Sequence, residues 1–203
     1  VAHLSTSDAL KAVRRGKRGN HGSRVNCRVT CEVTPHHFTL IDENVGEYDT
    51  NFKMNPPLRT AVDIEAIIVA LADGTIDAIA TDHAPHARHE KEVEFERASF
   101  GITGLETALP LAITHLHLKH KIPLSRIVEL FTSGPTRVFD LTGRGTLARG
   151  SFADVTVFDP KKRWTFEAAK SRSLSHNTPF DGWQFTGKVV ATIVGGKVVY
   201  RVD

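Results

Sequence analysis

Five short segments carry residue types that can do chemistry. Thr81-Asp82-His83-Ala84-Pro85-His86 follows a short apolar run, Ala78-Ile79-Ala80. A carboxylate at a strand end can ligate a metal and also move a proton, and His86 is placed to hydrogen-bond an anionic substrate. The plainer reading is an Asp cap with histidines in a surface loop. His3 also stands at an apparent strand end, just before a helical pattern. Its neutral imidazole suits zinc, or it is a hydrogen-bonded core histidine. Thr34-Pro35-His36-His37 puts adjacent histidines on an extended chain, which turns them to opposite sides, so at most one faces a site. Lys53-Met54-Asn55-Pro56-Pro57-Leu58-Arg59 is a stiff extended loop. There the Asn55 amide can both donate and accept, matching an amide or ureido group. Phe100-Gly101-Ile102-Thr103-Gly104-Leu105-Glu106-Thr107 opens a helix, and its glycines let backbone come close to a ligand or simply serve helix entry.

Other candidates have plainer readings. His115, His117 and His120 have no carboxylate at metal-ligand spacing and read as surface residues. Lys11, Arg14, Arg15, Lys17, Arg18 and Arg24 read as a solvated face.

The elements that must position these residues fall into two patterns. Residues 1–140 alternate strand-like and helix-like stretches, the signature of parallel βα units. Ser5-x-x-Asp8 reads as a capping box for a helix through Ala9, Leu10 and Val13. A strand is expected over Arg24–Val33 and a helix over Ala61–Ala72, capped at Thr60-x-x-Asp63 and stopped at Asp73-Gly74. A buried strand follows over Asp77–Thr81, then helices over Leu105–Lys119 and Leu124–Phe131, a break at Gly134-Pro135, and a short helix through Asp140. Residues 141–203 look like a small β unit. Ala153–Val157 alternates as a strand, and Lys188–Val194, Gly195-Gly196 and Lys197–Tyr200 form a hairpin with a two-residue turn.

The 203 residues suffice for one domain plus an appendage; 40% are hydrophobic and 24% charged, a globular balance. A net charge of +3 gives no reason to expect nucleic acid or a membrane surface as partner, and no apolar run is long enough to span a bilayer. Cys27 and Cys31 are four apart in the expected strand, roughly 13 Å, too far for a disulfide. Two free thiols fit a reducing cytoplasmic compartment. The opening Val1-Ala2-His3-Leu4-Ser5-Thr6 reads as the end of a core strand, as if the chain were part of something longer.

Taken in chain order, the five segments, beginning with His3-Leu4-Ser5-Thr6, with the second extended to Cys31–His37 and the fourth to Ala80–His86, resemble class I dihydroorotases of the amidohydrolase superfamily. Gly143–Gly150, Ala153-Asp154-Val155 and the final hairpin resemble that superfamily's small β domain. The resemblance implies an α/β fold: about the last three βα units of a metal-dependent hydrolase (β/α)8 barrel, plus a small C-terminal β domain. It implies zinc, one or two ions, with His3 and Asp82 as ligands and Asp82 as the acid/base. It implies substrate contacts from Asn55 and His86 and from the backbone near Phe100 and Gly101. The implied reaction is the reversible closure of N-carbamoyl-L-aspartate to L-dihydroorotate in pyrimidine synthesis, with a homodimer or an aspartate carbamoyltransferase complex as the assembly.

One departure qualifies this. The family's His-x-His pair, the carboxylate or modified Lys that bridges its metals, a further His ligand and a substrate-binding Arg have no counterpart here. His115-Leu116-His117 has the spacing but lies in a helical stretch after Asp82. A full barrel takes about 250 residues, and only three strands are expected here, ending near His3, Val33 and Thr81. Three readings stay open: part of a dihydroorotase, inactive without its remaining ligands; a related hydantoinase or allantoinase; or a non-catalytic subunit that scaffolds the transferase.

Overall fold

The structure is a computed structural model and describes residues 1–19 and 28–202. Cys27, Arg24 and the first part of the strand expected over Arg24–Val33 therefore lie outside the described residues.

A parallel arc of backbone forms the centre. Strand β1 (Glu32–Val33) pairs in parallel with β2 (Ala78–Ile79), in the register Glu32↔Ala78 and Val33↔Ile79. Both are shorter than the sequence pattern suggests. Residues 1–4 run along the other side of β1: Glu32 N–H donates to Val1 O, and Leu4 N–H donates to Glu32 O. A regular parallel ladder would use His3 N–H for the second bond. His3 instead has φ 49° and gives its N–H to the Glu32 carboxylate. One extra residue is thereby accommodated, a bulge in a parallel pairing.

Helices cover this arc. Helix α1 (Ser7–Gly19) buries Leu10 and Val13. Its cap is Thr6 rather than Ser5: Ala9 N–H donates to Thr6 Oγ1 at 3.2 Å, while the buried Ser5 hydroxyl accepts from Arg59 Nε. Helix α2 (Ala61–Ala72) has the expected bounds and stops at Asp73 and Gly74. Its expected capping box is replaced by a bond from Thr60 Oγ1 to the Asp63 carboxylate, which also accepts Ser7 N–H and so ties α2 to α1. The basic face of α1 is not simply solvated. Arg14 pairs with Asp73, and Lys17 reaches Asp77 and Thr75 O, so this face fastens α1 to the segment that feeds β2.

After β2 comes a short helix α3 (Arg88–Lys91). Helix α4 (Ala108–Leu111) then widens into a π-helical segment, Ala112–Lys119. The helix expected from Leu105 thus starts three residues later. Its histidines are half-buried rather than at the surface: His117 Nδ1 lies 2.8 Å from Ile122 O, and burial holds the His115 imidazole down at about 4. Helices α5 (Leu124–Phe131) and α6 (Ser133–Phe139) follow, with their break at Thr132 (φ −128°, ψ −90°), so that Gly134 and Pro135 lie inside α6. Arg126 of α5 donates to Leu71 O and Ile76 O, satisfying carbonyls at the end of α2 and the approach to β2.

The remaining residues form an antiparallel sheet, β3 (Val155–Thr165), β4 (Gln184–Val194) and β5 (Lys197–Arg201), in the order β3-β4-β5. Gly195 and Gly196, both at positive φ, make the β4–β5 turn expected from sequence. Strand β4 rests on the π-helical segment. A side chain on Gly187 (φ 94°) would collide with Ile113, and Thr114 and Thr186 exchange hydrogen bonds. Phe166, Phe180 and Phe185 join Leu4, Val33, Ile79 and Leu111 in a single buried cluster.

Candidate functional site

The bulge at the first strand brings His3 to a carboxylate pair. His3 Nδ1 lies 2.9 Å from Glu32 Oε1, and His3 Nε2 lies 3.6 Å from Asp82 Oδ1. Asp82 sits just past β2 and, like His3, has a left-handed backbone (φ 47°). Positive φ is uncommon for residues other than Gly, and such strain gathers at functional sites. Here the two strained residues end the segments that flank β1 on either side, and their side chains approach to 3.6 Å. Burial pushes the Glu32 carboxyl up, while the His3 N–H and nearby His3 ring pull it back.

Two ligands of a tetrahedral zinc, each about 2.1 Å from the ion, stand roughly 3.4 Å apart. The His3–Asp82 separation of 3.6 Å matches that spacing. Glu32 Oε1 stands beside Nδ1, where an outer carboxylate orients a ligating imidazole, but the pair lacks hydrogen-bond geometry and His3 Nδ1 has no hydrogen-bond partner among the described residues. The donor chemistry therefore fits a zinc on one side. Among the described residues, however, no group of three or more His, Cys, Asp or Glu side chains could hold a metal.

A second cluster gathers His86, Phe100 and Gly101. His86 Nε2 donates to Phe100 O at 2.9 Å, and its main-chain N–H donates to Asn177 Oδ1 at 3.1 Å. Asn177 Nδ2 donates to Ala84 O and Gly101 O, holding the two segments together. Gly101 N–H donates to Lys53 O, and Lys91 Nζ donates to Gly101 O. The backbone amide and carbonyl of Gly101 are thus both engaged within the chain. Gly101 has φ 113°, and an added methyl would lie 2.5 Å from Ala84 Cβ, so only glycine fits. Asn55 is exposed, two residues from Lys53, and is linked to this cluster through the Lys53–Gly101 bond. His83, between the clusters, accepts Gly104 N–H on Nδ1 and bridges in parallel to Ile102.

The paired histidines behave otherwise than expected. Residues Pro35–Phe38 form a 3-10 turn, not an extended strand, so His36 and His37 do not point to opposite sides. Both are buried, with ring centroids 4.5 Å apart. His37 accepts from the Thr34 hydroxyl on Nδ1 and donates to Pro56 O from Nε2, which makes it a packing group that anchors the Asn55 loop.

Sequence reasoning missed Glu32, Lys53, Lys91 and Asn177. Glu32 was legible only as a strand residue, because its role depends on the His3 bulge. Asn177 lies 76 positions from its partner Gly101 and had no local signal.

The amidohydrolase family pattern matches residues 18–199. A dihydroorotase of Geobacter sp. (strain M21) is 52% identical over 202 residues, 99% of this chain and 45% of its own length. A dihydroorotase of Solibacter usitatus is 53% identical over 196 residues, 97% of this chain and 44% of its own length. The chain thus spans a little under half of the curated relatives it matches. Among solved structures, the L-hydantoinase (dihydropyrimidinase) of Arthrobacter aurescens superposes with a TM-score of 0.90 at 30% identity, over 99% of this chain and 44% of its own. A D-hydantoinase from Thermus sp. gives 0.86 at 27% identity, with the same coverage. The fold is accordingly that of part of an amidohydrolase barrel with its appended β unit. Matched across most of its length by that family's pattern, this chain belongs to the amidohydrolase family.

Proposed function

We propose that the chain is the C-terminal part of a cytoplasmic dihydroorotase, which interconverts N-carbamoyl-L-aspartate and L-dihydroorotate for pyrimidine synthesis. Residues 1–140 would supply part of the barrel and 141–203 the small β domain. The observation that carries the reading is the approach of His3 Nε2 to Asp82 Oδ1, both on left-handed backbones. Identity near 50% to dihydroorotases along nearly the whole chain supports it over a hydantoinase, since the hydantoinases of Arthrobacter aurescens and Thermus sp. are 30% and 27% identical to this chain.

His3 and Asp82 would hold zinc together with donors from outside this chain. When bound, zinc supplies Lewis acidity toward the reacting carbonyl. In ring opening, water adds across the ring amide C–N bond, and Asp82 carries the proton from that water to the ring nitrogen; closure reverses the path. His86, Asn55 and the Phe100–Gly101 segment would orient the small, anionic substrate, the Gly101 amide and carbonyl themselves being engaged within the chain. Assembly as a homodimer or with aspartate carbamoyltransferase belongs to the same reading.

The test is zinc-dependent activity of this chain with and without the complementary half of the barrel added in trans. Activity only in the mixture is expected. Turnover of hydantoin but not dihydroorotate by the active preparation would select the hydantoinase reading instead. A zinc-independent complex with the transferase, with no turnover in any mixture, would select the scaffold.

A further inference from the structure

Two buried lysines have no carboxylate partner among the described residues. Lys53 and Lys91 are 7% and 4% exposed, and neither forms an ion pair. An ammonium withdrawn from water without a counter-charge is costly, so their surroundings must supply acceptors. Those acceptors are all main-chain carbonyls of one short loop. Lys53 Nζ donates to Phe95 O at 2.6 Å and Glu96 O at 2.9 Å. Lys91 Nζ donates to Ser99 O at 2.9 Å and Gly101 O at 3.1 Å. Lys53 Nζ also lies 4.5 Å from the centre of the Phe100 ring, within cation–π range.

Besides the lysines, only the His86 ring, on Phe100 O, and the Asn177 amide, on Gly101 O, donate to the carbonyls of residues 95–101 among the described residues. Residues 92–101 contain no helix or strand, and a buried carbonyl needs a donor. The lysines also tie together segments that the proposed function treats as substrate contacts. Lys53 O accepts Gly101 N–H, which joins the Asn55 loop to Phe100–Gly101. Gly101 in turn packs on Ala84, and Phe100 O holds His86.

We infer that Lys53 and Lys91 are positioning residues: their ammonium groups clasp the carbonyls of residues 95–101 and so set the Phe100–Gly101 segment against His86 and the Asn55 loop for substrate binding. The inference rests on the proposed reading for which segments meet substrate, but the clasp itself does not.

The exposed Arg97 inside the loop gives a direct readout. Trypsin cleavage after Arg97 reports local opening when cleavage is slow relative to reclosing. In the intact enzyme bearing this sequence, Lys91→Met should speed that cleavage about tenfold and raise KM by a similar factor, with kcat changed less than about threefold. Lys91→Gln keeps an N–H donor and should fall between the two. Lys53→Met combined with Lys91→Met should be non-additive, because both act on one loop. Unchanged cleavage and unchanged KM in Lys91→Met would overturn the inference. So would a general fall in melting temperature for both Lys91 variants with no selective gain at Arg97, which would make the lysines ordinary core supports. Faster cleavage with an unchanged KM for dihydroorotate but a raised KM for hydantoin would keep the clasp and reject the dihydroorotase reading.

Discussion

At Asp82, one atom's chemistry and one backbone angle are set together. With φ 47°, the position favours Asp or Asn over other side chains. Asp82→Asn is therefore expected to keep the melting temperature while lowering turnover by about 10²–10⁴-fold, because it cannot take a proton. Asp82→Ala should lose the same activity and also about 1–2 kcal/mol of stability from the left-handed backbone. Paired melting and kinetic measurements separate the two effects; equal melting of all three proteins would contradict the strain argument. Glu32→Gln keeps the shape of the carboxylate but removes its charge from His3 Nδ1, and should weaken zinc affinity about 10–100-fold. Competition with a chelator would measure it.

The buried histidines give the protein an acid edge. Burial holds His37 down at about 4 and likewise lowers His36. An unfolded histidine titrates near 6.5, so between about 6.5 and 4 the unfolded chain binds more protons than the folded one, and stability rises with pH across that window. The contribution is complete above about 6.5 and declines as pH falls toward 4. Denaturant unfolding at a series of pH values should show this slope, and His37→Gln should reduce it. An unchanged slope in that variant would assign the acid sensitivity elsewhere. Cys31 shows the same physics with opposite charge: burial pushes its thiol up to about 11, so it stays protonated, donating to Thr75 O.

At the scale of elements, α2 lay open in the sequence because its apolar run and Asp73-Gly74 stop are local, and α5 because its apolar period is, although its break falls at Thr132 and not at Gly134-Pro135. The β4–β5 turn was equally legible from Gly195-Gly196. The strands of the arc were overestimated: an apolar run marks what is buried, but pairing lasts only while neighbours run alongside, and β1 and β2 each pair for two residues. The histidine pair was misread because Pro35 starts a 3-10 turn, which winds His36 and His37 inward together. The π-helical widening over Ala112–Lys119 had no local signal. The segment packs under β4, where Ile113 meets Gly187. Gly187→Ala should therefore cost about 1–3 kcal/mol by overpacking and positive φ. Ile113→Ala in the same protein should recover part of that loss, and a double-mutant cycle by denaturant unfolding checks the coupling. Strict additivity would mean that the two do not bear on each other.

The whole molecule explains why the site was only partly legible. His3, Asp82, His86, Asn55, Phe100 and Gly101 announce themselves by type and by neighbours in sequence. The groups that hold them, Glu32, Lys53, Lys91 and Asn177, act across the fold and are visible only once the arc, the loops and the final third of the chain are assembled. Asn177, contributed by the stretch between β3 and β4, fixes Ala84 and Gly101 from a distant part of the chain. The β unit is therefore coupled to the site region through that connection as well as through the common core.

The bulge at His3 also bears on changes in chain length. Because Val1 O and Leu4 N–H both bond to Glu32, two side chains occupy the ladder space normally held by one. Removing a single residue there would give a regular pairing, and a one-place slip in a strand turns every later side chain to the opposite face. His3 would then lose Glu32 and Asp82 together, although no functional residue had been altered. Natural variation at this strand end is therefore expected as substitutions at constant spacing, with insertions and deletions confined to the loops beyond it.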